Sequence, residues 1–341
     1  MWAVETTELT KEYRLGFWRN RRKRALEGLT LAVEEGEVFG LLGPNGAGKS
    51  TTLKLLFRLI FPTSGSGRIL GRPLSDVRAR ARVGYLPETP SFYDHLTAQE
   101  LMHYAGWLCG LDPGVRRARA QDLLEQVGLA EAAGLAIRKF SKGMVQRLGI
   151  AQALVNDPEV IFLDEPMSGL DPLGRRQVRD LILALRKRGK TVFFSTHILS
   201  DAETLCDRVA ILHRGRLQGL GSLREILAGG VASNELVLEA PSPQTLEALA
   251  RFTSATVRTG DQVRLELAAN ADASTVLGAA LGAGASIVSF NPVKMSLEDY
   301  FMARLGTPSE RPLAPRLGSN RTGAVEPGPA AHSARVESQR P

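Results

Sequence analysis

The sequence predicts an α/β protein: a phosphate-binding domain built on buried parallel strands, interrupted by a helical insertion and followed by a small α+β unit. Three observations carry that prediction. A glycine-rich run, Gly43-Pro44-Asn45-Gly46-Ala47-Gly48-Lys49-Ser50-Thr51, lies between the apolar pentad Val38-Phe39-Gly40-Leu41-Leu42 and a helix-capable stretch over residues 50–59. Val160-Ile161-Phe162-Leu163 and Thr191-Val192-Phe193-Phe194 are near-continuous apolar runs, as expected of central strands covered on both faces. Between the loop and the first of these runs, residues 97–156 take on a helical pattern, broken at Asp112-Pro113-Gly114, Gly128 and Gly134.

Residues 2–13 read as a strand ending in a turn. A basic loop follows, in which Arg14, Arg19, Arg21, Arg22, Lys23 and Arg24 place six positive charges within eleven residues, around Phe17 and Trp18. Two readings of it stand. One is a solvated hairpin tip. The other is a contact for anionic lipid headgroups or a membrane partner, where each cation contributes about 1 kcal/mol. Leu29-Thr30-Leu31-Ala32-Val33 alternates and stops at Glu35-Gly36, a second strand and turn.

The glycine-rich run reads G-x-x-x-x-G-K-S. Its glycines permit a tight turn in which successive N–H groups converge on one anion. Lys49 adds a mobile cation for the outer phosphates, and the Ser50 hydroxyl can join a magnesium shell. Strand, glycine loop and helix N-terminus form the setting this motif requires.

Phe61-Pro62-Thr63-Ser64-Gly65-Ser66-Gly67 reads as a turn cluster and Val83-Gly84-Tyr85-Leu86-Pro87 as a brief strand. Thr97, with Glu100 three residues on, is a capping signal that opens the insertion. Residues 181–188 form the helix between the two central strands. Arg208-Val209-Ala210-Ile211-Leu212 is a further strand, and His213-Arg214-Gly215 a hairpin turn.

The second unit reads as strand (236–238), helix (243–250), strands (255–258 and 263–267), helix (271–281), strand (286–290) and a last helix (296–305). That βαββαβ order matches a small ferredoxin-like α+β unit. From Gly306 the chain holds six of its eighteen prolines and no Phe, Trp or Tyr. It cannot bury enough apolar surface to order itself and reads as a disordered tail. The expected boundaries are 1–228 for the nucleotide domain (helical subdomain about 92–157), 232–305 for the accessory domain and 306–341 for the tail.

At 341 residues and 43% hydrophobic content the chain accommodates two domains and a large core. The net charge of +7 is concentrated in the basic loop rather than spread, so no specific nucleic-acid partner is expected. Cys109 and Cys206 lack both metal-like spacing and disulfide density, and read as buried reduced thiols. The N-terminus lacks the basic-then-apolar order of a signal peptide. Residues 273–293 carry no charge, yet their Ala, Gly and Ser content and Pro292 fit a helix, turn and strand. A membrane helix needs about 20 strongly apolar residues.

The chemistry lies downstream of the loop. Asp164 and Glu165 end an apolar strand, and strand ends are where ligands collect in doubly wound sheets. Asp164 can hold magnesium directly or through water, and Glu165 can polarise an attacking water. The plainer reading is an acidic pair opening a turn before Pro166. His197 closes Ser195-Thr196-His197 at the end of another buried strand, within reach of a γ-phosphate. Phe140-Ser141-Lys142-Gly143-Met144-Val145-Gln146 offers a hydroxyl and free N–H groups ahead of a helix, a second anion site. Two phosphate-binding surfaces in one chain point to a nucleotide sandwiched between two copies.

The succession of glycine loop, Tyr-Leu-Pro-Glu, Ser-Lys-Gly-Met-x-Gln, Leu-Asp-Glu-Pro, Ser168-Gly169-Leu170-Asp171-Pro172 and Ser-Thr-His resembles the ATP-binding subunits of ABC transporters over residues 2–225. The resemblance implies a P-loop NTPase of ABC ATPase type, with a mixed sheet core, an antiparallel β subdomain and a helical insertion. It implies that Tyr13 stacks on adenine, that the loop from Gly43 through Pro44, Asn45, Gly46, Ala47, Gly48 and Thr51 cradles ATP, and that Lys49 binds its β- and γ-phosphates. Ser50, Asp164 and Glu88 would serve Mg2+, Glu165 the water and His197 the γ-phosphate. Ser141 and Gly143 would face the nucleotide of an opposing copy, with Asp171 at the dimer seam.

Two departures stand out. Lys142 replaces the first glycine of the family's Leu-Ser-Gly-Gly-Gln, with Met144-Val145-Gln146 following. Glu88 replaces the usual glutamine; a carboxylate ligates magnesium but cannot donate a hydrogen bond to water. Both resemble single-cassette ATPases that pair as homodimers with a separately encoded ABC-2 type membrane permease, peripheral at the cytoplasmic face of the membrane, in export. The segment Ser296-Leu297-Glu298-Asp299-Tyr300-Phe301 resembles the end of that subgroup's C-terminal domain. Ser91-Phe92-Tyr93-Asp94-His95-Leu96 would line the groove for the permease or pack into the insertion core. The rival reading is a soluble ABC ATPase of translation or DNA repair; such proteins usually carry two cassettes or a long coiled-coil insertion, and neither is present. A P-loop kinase is the third, opposed by the Ser141 segment and the position of His197. The cargo is encoded in none of these residues.

Overall fold

The computed structural model describes residues 1–15, 21–228, 231–268, 271–294, 296–298 and 300. β1 (Trp2–Leu15) and β2 (Arg21–Glu34) pair antiparallel through the basic segment itself, with Tyr13 opposite Lys23 and Arg14 opposite Arg22. The segment is thus the end of a hairpin; residues 16–20, with Phe17, Trp18 and Arg19, lie outside the described residues. β3 (Val38–Leu42) is buried throughout and feeds the glycine loop and α1 (Lys49–Leu56). This helix stops short of the expected residue 59: Arg58 adopts φ +63°, and Leu59 is 53% exposed.

The expected turn over 61–67 is corrected. Its second half opens β4 (Ser64–Ile69), with Gly67 opposite Thr6 and Ser66 opposite Thr7 of β1. Small residues serve here because β1 passes in contact: a Cβ on Gly65 would lie 2.1 Å from the Glu8 carbonyl oxygen. β5 (Arg72–Pro73), α2 (Val77–Arg80) and β6 (Val83–Leu86) follow. The insertion contributes α3 (Ala98–Leu108), α4 (Pro113–Gln126) and α5 (Lys142–Ala153). α3 opens on the anticipated capping box, Glu100 N–H donating to Thr97 Oγ1 at 3.2 Å and Thr97 N–H to Glu100 Oε2 at 2.8 Å. The aromatic patch ahead of it divides, Phe92 and Leu96 packing against the core while Tyr93 is exposed. Cys109 is also exposed, contrary to expectation, because it caps the outer end of α3; Cys206 is buried.

β7 (Val160–Asp164) leads to α6 (Pro172–Lys187), which starts at Pro172 rather than 181 because Asp171 caps it, accepting a hydrogen bond from Gly174 N–H at 2.7 Å. β8 (Thr191–Thr196), α7 (Leu199–Leu205), β9 (Arg208–His213), β10 (Arg216–Ser222) and α8 (Leu223–Ala228) complete this part. Strands β6-β7-β8-β3-β9 form a parallel sheet with β10 antiparallel at its edge; a second, antiparallel sheet runs β2-β1-β4-β5. Phe193 joins the three strands that carry the site. Its ring lies 5.1 Å from Phe39 of β3 and 5.6 Å from Phe162 of β7, each such pair adding about 0.5–1.5 kcal/mol beyond burial.

The second unit comprises β11 (Val231–Glu239), α9 (Pro243–Ala250), β12 (Thr253–Thr259), β13 (Gln262–Leu267), α10 (Ala273–Gly282) and β14 (Ser286–Lys294). Its strand order β12-β13-β11-β14 is antiparallel throughout and is that of a ferredoxin-like sheet, with its own core of Leu236, Leu238, Leu249, Val263 and Leu265. Leu297, beyond it, is fully buried in the core of the larger sheet, and its N–H donates to Glu203 Oε1 of α7 at 2.7 Å. The uncharged span 273–293 is a ten-residue helix and a strand. Among the described residues no helix is long and apolar enough to cross a membrane. Most of the last helix expected over 296–305, and the tail expected over 306–341, fall outside the described residues.

Candidate nucleotide site

Three parallel strands set the site. β3, β8 and β7 are in register with Leu42 opposite Thr196 and Asp164 opposite Ser195. The glycine loop, His197 and the Asp164–Glu165 pair therefore leave the sheet along one edge, the carboxyl ends where ligands collect. Gly48, at φ +112°, turns the loop into α1, and a Cβ there would lie 2.6 Å from the Ala25 carbonyl oxygen of the hairpin. Only glycine allows that approach. The loop is closed by Ala47 N–H donating to Pro44 O at 3.1 Å, and is held from behind by Gly215 N–H donating to Ala47 O at 2.8 Å.

A cavity of about 510 Å³ opens over this edge. Tyr13, Asn45, Gly46, Gly48, Lys49, Ser50, Thr51, Glu88 and Glu165 line it, joined by Lys23 and Ala25 of the hairpin. Lys49, 5% exposed, points back into the loop: its Nζ donates to Gly43 O at 2.7 Å and lies 3.1 Å from Glu165 Oε1. The second contact is an ion pair without hydrogen-bond alignment, which leaves Glu165 Oε1 buried and unsatisfied. Lys11 Nζ sits 5.2 Å above the Tyr13 ring and donates to Phe61 O, so any base stacked on Tyr13 would have to take the other face.

The carboxylates are held by neighbours on the adjoining strand. Asp164 Oδ1 accepts from Ser195 Oγ at 2.6 Å and from Ser50 Oγ at 3.1 Å. Ser195 Oγ in turn accepts from Glu165 N–H at 3.0 Å, which fixes Glu165 at φ +49°, a left-handed conformation that costs a non-glycine residue roughly 1–3 kcal/mol. Glu165 Oε2 lies 2.9 Å from His197 Nδ1. Burial raises the pKa of Asp164 despite the two hydroxyl donors, and the charges of Glu88 and Glu165 raise it further. Tyr85, stacked 5.0 Å from Phe57, is pushed up to about 12 by burial and by Asp164 and Glu88, so its phenol stays neutral. Ser50 and Glu88 offer hard oxygen atoms on the cavity lining, and Asp164, bonded to the Ser50 hydroxyl, offers more just behind it. Mg2+ takes such donors from one or two carboxylates and completes its shell with phosphate and water. The residues present fit it.

The raised Asp164 pKa has a consequence for stability. Its charged form is disfavoured in the folded state, so stability is full below the ordinary carboxylate range and is lost as pH rises through the folded pKa. Asp164→Asn keeps an oxygen to accept both hydroxyls and removes the buried charge. The nucleotide-free variant is expected to melt about 2–4 °C higher than wild type at pH 7, the gap closing in acid. An equal or lower melting temperature at pH 7 would show that the charge is not a cost.

The structure keeps the remaining predicted residues apart from the cavity lining. Ser141 caps α5, accepting from Met144 N–H at 3.2 Å. A Cβ on Gly143 would touch Leu170 at 3.7 Å, and the Lys142 ammonium folds over Gly169. Ser141, Gly143 and Asp171 thus belong to a separate surface, built from the starts of α5 and α6. Three cavity or support residues escaped the sequence reading: Lys23, Ala25 and Ser195. Ser195 carried a signal, being the hydroxyl two positions before His197 on a buried strand. Lys23 and Ala25 carried none until β2 was paired with β1.

Fold and site define a P-loop ATPase with a helical insertion ahead of its catalytic strand. The ABC transporter family profile matches residues 26–168. The chain is 47% identical over 305 residues to an uncharacterised ABC transporter ATP-binding protein of Synechocystis sp., covering 89% of this chain and 84% of that one. It is 36% identical over 246 residues to Nod factor export ATP-binding protein I of Paraburkholderia xenovorans, covering 72% and 79%. Among solved structures, the ATP-binding cassette MJ0796, dimeric in a post-hydrolysis state with ADP and Pi, matches with a TM-score of 0.60 at 29% identity, over 65% of this chain and 99% of that one. The chain belongs to the ABC transporter ATP-binding protein family: it binds ATP with Mg2+ and is an ATP hydrolase.

Proposed function

We propose that this chain is the ATPase subunit of a membrane exporter, acting as a homodimer that closes on two ATP molecules and drives a separately encoded ABC-2 type permease at the cytoplasmic face of the membrane. One observation carries the dimer: the phosphate-binding cavity and the Ser141–Gly143 helix start are on separate surfaces of the same chain. Two copies related by a twofold axis would bring each surface over the other's nucleotide. The MJ0796 cassette is a dimer, and the Paraburkholderia relative is named for export. Both support the reading.

In that dimer Tyr13 stacks on adenine, and Lys49 exchanges its loop carbonyl for the β- and γ-phosphates. Ser50, Asp164 and Glu88 would hold Mg2+, which would supply positive charge against the phosphates. Glu165 takes a proton from the water that attacks γ-phosphorus, oriented by Ser195 at its backbone and His197 at its carboxylate. Ser141 and Gly143 face the second copy's γ-phosphate, with Asp171 at the seam. The distinct core of residues 236–290 supports a division between 228 and 232, although Leu297 packs into the core of the larger sheet.

A second cavity, of about 450 Å³, supports the permease contact. It lies between Phe57, the stretch Arg80 to Tyr85, Leu108 and Cys109, and the end of α5. Tyr104, Trp107 and Leu108 expose 41%, 61% and 62% beside it. A groove of mixed lining, Arg80, Gln152 and Asn156 beside Val83 and Leu108, with exposed aromatic residues at its side suits one face of an amphipathic helix. Tyr85 lines it while its phenol senses Asp164 and Glu88, so the groove adjoins the nucleotide site. Trp107→Glu is expected to abolish co-purification with the permease while leaving ATP binding intact. A variant that still pulls down the permease at wild-type yield would remove the groove from this role.

A further inference from the structure

We propose that Lys23 is a nucleotide-binding residue, its ammonium gripping the phosphate chain of the ATP whose base stacks on Tyr13. The inference rests on the reading of the 510 Å³ cavity as the ATP site. Lys23 is the cross-strand partner of Tyr13 in the β1–β2 hairpin, and directly opposed residues of an antiparallel pair project from the same face. Ala25, the unpaired residue where the register shifts between Lys11 and Glu12, also lines the cavity. Lys23 is thus placed beside the base-stacking ring and on the wall facing Lys49 and the glycine loop.

Its neighbours are spoken for and it is not. Arg24 donates to Glu12 Oε1 at 2.9 Å and pairs with Glu27 at 3.1 Å, and Arg22 lies 3.9 Å from Glu12. Lys23, on the opposite face from Glu12 and Arg24, has no carboxylate partner among the described residues. A strand that neutralises the cations on either side and leaves one facing a polyphosphate cavity presents that charge to an anion. An ammonium is suited to the task, being a compact charge with three rotatable donors on a long stem. The basic segment thereby separates into a paired face, a cavity-facing lysine and the residues outside the described part.

The test is titration of the full chain with a fluorescent methylanthraniloyl-ATP, without metal, for wild type, Lys23→Ala, Lys23→Arg, Lys23→Glu and Lys49→Ala. Lys23→Ala is expected to weaken binding about tenfold, Lys23→Glu further, with Lys23→Arg near wild type. Because Lys23 is exposed, the loss should shrink at about 0.5 M salt. Thermal melts unchanged from wild type would confirm that the exposed strand position still folds. Wild-type affinity in Lys23→Ala beside a failing Lys49→Ala would overturn the role of Lys23 and leave the cavity reading standing. A salt-independent loss would also overturn it, as a packing effect. Wild-type affinity in both variants would remove the cavity reading and this inference with it.

Discussion

Glu165→Gln is expected to lower ATP turnover by about 10²–10⁴-fold while leaving ATP-driven association intact. The amide keeps the shape and the contact with His197 Nδ1, now at 2.9 Å from Glu165 Oε2, but cannot accept the proton of the attacking water. Nothing in the backbone need change, because Ser195 Oγ holds the residue's N–H rather than its side chain. The nucleotide-free state should respond too. Glu165 Oε1 faces Lys49 at 3.1 Å without an aligned hydrogen bond, so the carboxylate is restrained by the lysine before ATP arrives. On the proposed mechanism, ATP would draw Lys49 to its phosphates and free Glu165 to act as the base. Single-turnover hydrolysis and size-exclusion with ATP read the two halves of this result. A variant turning over near the wild-type rate would take Glu165 out of the base role.

Lys49→Ala is the complementary case, with loss of both binding and stability. Removing a cation that holds two phosphates should weaken ATP binding by about 2–5 kcal/mol. It also strands Glu165, whose side chain is 6% exposed, and breaking a buried pair from one side costs about 3–5 kcal/mol. The lower end applies here, since His197 remains beside Glu165 and is 42% exposed. Adding Glu165→Gln to Lys49→Ala should restore most of the stability and none of the binding, because the stranded charge is gone but the phosphate ligand is not returned. Denaturant melts of the two single variants and the double variant measure this. Purely additive destabilisation would show that the pair does not interact in the folded chain.

Much of this site was legible in the residues themselves, and the reasons are local. The glycine loop, the Asp164–Glu165 pair and His197 each follow an apolar run that can only be a central strand, so parallel register places them on one edge without further information. The capping box at Thr97 and the βαββαβ order of the second unit were legible for the same reason. What escaped depended on pairing between distant segments. Ser64 to Gly67 has turn composition, yet forms a strand because β1 needs a partner it can approach closely. Helix α1 ends early through the left-handed Arg58, which no local pattern announces. Lys23 was one of six cations within eleven residues until its register with Tyr13 separated it from Arg22 and Arg24. Leu297 reads as part of the accessory unit but is buried in the core of the larger sheet, against the helix that follows His197.

The central claim is that one chain holds only half of a hydrolytic site: the cavity under Lys49 and, elsewhere on its surface, the Ser141 helix start that completes another copy. Specific ATPase activity measured across protein dilution tests it most directly. Activity per mole should fall as dilution separates the copies, and should be regained when inactive Lys49→Ala chains, which keep Ser141 and Gly143, are added in excess. Activity strictly proportional to concentration down to dilutions where light scattering finds only monomers would contradict the two-copy site.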